Sequence, residues 1–90
     1  MNIQAAGFHS AMQSGREALE NNNLNAAIQA YTLALSFEQG PVSDAEAFTC
    51  RAAAYYRKGD FDRVINDCST AIRRKRDYPY AYLNRGMAYV

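Results

Sequence analysis

Apolar residues recur three and four places apart along most of the chain, in stretches broken by polar residues, glycine and proline. Phe48 and Tyr55 flank Ala52, and Phe61, Ile65 and Cys68 surround Val64, so each stripe has a small residue at its centre. Gly15 and Ala27 hold the same place in the two earlier stretches. Strands are not expected, because sustained alternation is missing and alanine is abundant. Turn chemistry divides the pattern. Ser43-Asp44-Ala45-Glu46 reads as a capping box, Lys58-Gly59-Asp60 ends one helix and caps the next, and Gly40-Pro41 closes an earlier one. Pro79 suits a first turn. The expectation is five helices, over about 3–21, 24–38, 44–58, 61–75 and 79–90. The short connections make successive helices antiparallel neighbours.

The pattern also repeats. Ala47-Phe48-Thr49-Cys50-Arg51-Ala52-Ala53-Ala54-Tyr55 aligns with Ala81-Tyr82-Leu83-Asn84-Arg85-Gly86-Met87-Ala88-Tyr89 at a constant offset of 34. The stretch from Leu24 to Leu35 aligns with that from Phe61 to Ile72 at an offset of 37, so one connection carries three extra residues. The chain therefore divides into one repeat-built domain over 1–90, with repeat one at about 8–44, repeat two at about 45–78 and part of a third at about 79–90.

Phe48, Ala52, Tyr55, Gly59, Phe61, Val64 and Ala71, with the 34-residue period, resemble the tetratricopeptide repeat. Repeat one joins through Gly15, Leu24, Ala27, Tyr31 and Ala34, and the third through Tyr82, Gly86 and Tyr89. Arg76 departs from the pattern, standing where a proline would close helix B, and predicts that this helix runs on by a turn. The resemblance implies an all-α fold of tandem antiparallel helix pairs in a right-handed superhelix. It also implies a concave groove lined by the first helix of each pair. Met12 and Arg16 would face that groove from the first repeat, Thr49, Ala53, Tyr56 and Arg57 from the second, and Leu83, Asn84 and Met87 from the third. Such a groove suits an extended peptide or a partner helix: Met12, Tyr56, Leu83 and Met87 would supply apolar contact, and Arg16 and Arg57 would orient the ligand.

One branch of the family docks the acidic C-terminal tails of heat-shock chaperones with lysines, asparagines and an arginine at five positions. Those positions here hold Met12, Arg16, Cys50, Tyr80 and Asn84, with Arg16 the only cation. The first expectation is accordingly a scaffold that holds a protein or peptide partner, ahead of a chaperone-docking adaptor. A self-association module is the alternative. The sequence stops inside the fifth helix, which would leave Tyr82, Gly86 and Tyr89 as an apolar strip. Either the array continues beyond Val90 or a second copy covers the strip, giving a homo-oligomer.

Composition changes this picture little. The net charge is +1, yet up to Asp44 a single cation meets four anions, and from Ala45 onward nine cations meet five anions. The gradient is too mild to name nucleic acid or a membrane as partner. Arg73-Arg74-Lys75-Arg76 is better read as cations complementing a helix C-terminus, because four consecutive residues cannot share one face. The single histidine, His9, near Cys50 would mimic a catalytic dyad, but no oxyanion donor or orienting group accompanies them. Cys50 and Cys68 fit no metal spacing, and Cys68 falls on a core position. No enzyme activity, cofactor or metal is expected. Neither a secretory leader nor a membrane-spanning run is visible, which points to the cytoplasm, with the nucleus as second choice.

Overall fold

The computed structural model describes residues 3–37, 39–76, 82 and 85–87. It contains α1 (Ile3–Glu20), α2 (Leu24–Leu35), α3 (Pro41–Lys58) and α4 (Phe61–Arg74). Residues 82 and 85–87 are also helical, within the span expected for a fifth helix, and no described residue is in a strand. Turns of two to five residues join the helices, and each packs on the next in chain order. The expected all-α array of helix pairs is what the chain forms.

Most helix ends follow local chemistry. Gly59 closes α3 at φ 81°, a left-handed conformation that costs glycine nothing, while the N–H groups of Gly59 and Asp60 donate to Tyr56 and Tyr55 carbonyls. The Asp60 carboxylate then caps α4 by accepting from the Arg63 N–H. At the end of α1, Asn22 takes the left-handed position at φ 58° and Asn23 N donates to the Ala18 carbonyl.

Three expected boundaries are corrected. Helix α3 starts at Pro41 rather than 44, because proline fits a first turn whose N–H has no partner in any case. Ser43 and Glu46 therefore lie inside the helix instead of forming its cap. Helix α2 ends at Leu35 rather than 38, where the Ser36 hydroxyl donates to the Leu33 carbonyl. Helix α4 does not run on past Arg74: Lys75 is extended, at φ −145° and ψ 95°.

The core is built from close approach. Phe8, Ala11 and Met12 of α1 cluster with Ala27, Tyr31 and Ala34 of α2 and with Ala47 and Ala54 of α3. A Cβ on Gly15 would lie 2.5 Å from the Tyr31 ring, so the ring rests directly on the α1 backbone. Gly7 receives Phe37 in the same way. Between α3 and α4 the seam is Ala52, Val64 and Cys68, as the helical spacing predicts, with a second contact of Ala45 on Ala71.

Among the described residues two charged pairs cross that seam: Arg74 and Asp44, more exposed, at 3.4 Å, and the more buried Arg51 and Asp67. Arg51 donates to both carboxylate oxygens of Asp67, at 2.8 and 2.7 Å, and to the Thr32 hydroxyl at 3.1 Å, joining three helices. Its guanidinium also stands 5.5 Å from the Phe48 ring centroid and 5.9 Å from that of Tyr55. The same placement recurs 34 residues on, with Arg85 5.5 Å from the Tyr82 ring. Asp67 is 3% exposed and the Arg51 side chain 18%, so removing the carboxylate leaves a mostly buried cation without its partner. Asp67→Ala is expected to lower stability by about 3 kcal/mol in urea unfolding, and Asp67→Asn by less, since an acceptor remains. Equal loss from both would mean that packing, not the pair, matters there.

Candidate partner-binding face

Helices α1 and α3 both pack on α2 and meet each other through side chains on one side of it. Tyr31 of α2 sits at this junction, fully buried, its ring on Gly15 of α1 and its hydroxyl beside Cys50 of α3. The hydroxyl is enclosed without a well-formed hydrogen bond. Burial pushes it up to about 12, with Cys50 adding to the effect. Burial likewise pushes the Cys50 thiol up to about 11, with the Glu46 carboxylate raising it further and Arg16 opposing. Arg16 and Glu46 thus bracket the junction, one from each helix.

The residues assigned to the groove do not all face outward. Arg16 and Tyr56 are exposed, Ala53 is half-buried, and Met87 is 41% exposed. Met12 is a correction: it is 2% exposed and belongs to the core that α1 shares with α2 and α3, so it has no free apolar area for a ligand. Thr49 is another. It is buried, and its hydroxyl donates to the Ala45 carbonyl one turn back, leaving no free donor for a ligand. Arg57 is exposed but engaged, donating at 2.9 Å to the Leu19 carbonyl in the last turn of α1, which also accepts from the Asn22 N–H. Tyr56 stacks edge-on against the exposed Phe61, centroids 5.4 Å apart. Leu83 and Asn84 lie outside the described residues. Of the self-association strip, Tyr82 is 43% exposed and Gly86 is exposed, while Tyr89 lies outside the described residues.

No protein-family model matches the chain. Over 65 residues, 72% of its length, it is 34% identical to the Hsp70-Hsp90 organizing protein of Triticum aestivum. Over 79 residues, 87% of its length, it is 30% identical to a DnaJ homolog subfamily C member 7 homolog of Dictyostelium discoideum. It spans 11% and 15% of those two proteins. Its fold matches the TPR2B domain of yeast Sti1, solved as a complex with pHsp70, with a TM-score of 0.84 at 28% identity, over 92% of this chain and 64% of that one. The chain is built of tetratricopeptide repeats.

In these repeats the first helix of each pair is α1 or α3, and the second is α2 or α4. Among the described residues at the positions where one branch of the family docks acidic tails, Met12 is buried, Cys50 is half-buried and Arg16 is exposed. Sequence reasoning did not single out the unpartnered Tyr31 hydroxyl. A tyrosine at core spacing was its only signal. Nor did it find the Arg57 contact, which depends on where α1 ends.

The raised phenol and thiol groups have one sign. Tyr31 moves from 10.0 to about 12, and Cys50 and Cys68 from 9.0 to about 11, so the neutral forms are favoured by folding. Their contribution is complete below the unfolded values and fades as pH climbs through the folded ones. The melting temperature is expected to hold up to about pH 8.5 and to fall between about pH 9 and 11, less steeply in Cys50→Ala. Tyr31→Phe removes an unsatisfied buried group, so thermal unfolding should show stability unchanged or higher by about 1 kcal/mol. A drop of several degrees would mean that the hydroxyl has a partner in solution.

Proposed function

We propose that this chain is a docking module of the co-chaperone kind, which holds a peptide segment of another protein on the α1–α3 face. An Hsp70- or Hsp90-class chaperone is the first candidate partner. The observation that carries this reading is the match to a domain solved in complex with pHsp70, at an identity high enough to bear on more than fold. The names of both relatives, one an organizer of Hsp70 and Hsp90 and the other a DnaJ homolog, support the same class.

In this reading Tyr56, with Ala53 beside it, supplies apolar area on α3, and Met87 extends it toward the next repeat. Leu83 and Asn84 complete the expected set. Tyrosine and methionine suit the task, the first giving area at low entropic cost and the second adapting to varied shapes. Arg16 orients the segment through a carbonyl or carboxylate. Arg57 acts indirectly, by holding the end of α1 against α3. Binding uses no cofactor and makes or breaks no covalent bond. The cytoplasm is the compartment this reading favours, and no described helix is long and apolar enough to cross a membrane.

Calorimetric titration of the chain with purified Hsp70- and Hsp90-class chaperones tests the assignment. Saturable binding to at least one is expected. The pair Tyr56→Ala and Met87→Ala should weaken it about tenfold or more, roughly 1.4 kcal/mol, with helicity by circular dichroism unchanged. A folded chain that binds neither chaperone overturns the co-chaperone assignment.

A further inference from the structure

The charges on the α1–α3 face point to the chemistry of the segment it takes, on the reading that this face is the docking surface. Glu46 is half-buried in α3, one turn before Cys50, and makes no ion pair or hydrogen bond among the described residues. A carboxylate in that state gains most from a cation brought to it, since part of its hydration is already lost. Arg16, the cation across from it, is exposed and well solvated, and the two do not close an ion pair. Glu20 lies one turn beyond Arg16 on the exposed side of α1, adding a second negative charge to the edge. Arg57 is the remaining cation there, and its guanidinium is bound to the Leu19 carbonyl. Beneath them the buried Tyr31 hydroxyl is unpartnered, within the field of both Glu46 and Arg16. Among the described residues the face therefore offers one unsatisfied half-buried carboxylate and no cluster of free cations.

We infer that this face selects a peptide segment carrying a basic side chain, received by Glu46, and discriminates against segments that end in several carboxylates. The basic group completes the ion pair that Glu46 lacks, and Arg16 is left to donate to a main-chain carbonyl of the same segment. An acidic tail would bring like charge to Glu46 and find one free arginine to answer it. Complementarity of this kind sets preference between partners more than raw affinity.

Fluorescence anisotropy with two labelled peptides of equal length and equal apolar content tests this. One carries a central lysine pair, and the other ends in three acidic residues with a free α-carboxylate. The lysine peptide is expected to bind about tenfold tighter, with affinity falling as salt is raised. Glu46→Gln should remove that preference, whereas Arg16→Gln, which takes a main-chain contact from both peptides and the one free arginine from the acidic one, should weaken both and keep the preference for lysine, a contrast between the two variants that misfolding cannot mimic. Equal or tighter binding of the acidic peptide, binding of neither, or no effect of Glu46→Gln each overturns the inference. The chaperone titration separates the two claims. If full-length chaperones fail to bind while the lysine peptide binds through Glu46, the co-chaperone assignment falls and this inference stands. If chaperones bind and lose affinity when their acidic ends are amidated, the reverse holds.

Discussion

Two helices can lie close together only where the side chains between them are small, and this chain places alanine or glycine at nearly every such point. Eight of the thirteen buried apolar residues among those described are alanines, so each contact removes little area from water, and stability must come from many contacts made at short range. Gly15 carries the constraint furthest. With no Cβ, α1 accepts the Tyr31 ring against its backbone, and that ring in turn reaches Cys50 on α3. One aromatic side chain thus sets the spacing of three helices.

Larger groups are arranged around this close-packed centre according to what they must satisfy. The Arg51–Asp67 pair needs the seam of α3 and α4 to be tight enough to exclude water, yet leaves Arg51 with donors to spare for Thr32. The recurrence of arginine beside an aromatic ring in the next repeat ties the sequence period to a definite physical contact.

Much of the fold was legible because helix pairs of this type depend on spacing. Ala52, Val64 and Cys68 sit where their three- and four-residue intervals put them, and the Gly59–Asp60 turn reads directly from the left-handed preference of glycine and the capping ability of aspartate. Failures came where two local signals competed. Proline at position 41 could close one helix or open the next, and it opens α3. The binding face was harder to read. Met12 and Thr49 occupy positions on the groove side of their helices, but a neighbouring helix lies near enough to bury them, which depends on interhelical distance and not on intervals along one chain. Arg57 looked like a free cation until the end of α1 was located beside it.

The longer connection between α2 and α3 has an effect on modularity. Its extra length carries Phe37 back over Gly7, so the opening turns of α1 are shaped around a residue of the linker. A linker of ordinary length would leave a notch on α1, and a standard first helix with a side chain at position 7 would collide with the ring. The first helix pair and the segment that follows it are therefore fitted to each other: a generic repeat put in place of either would require the Phe37 ring to move.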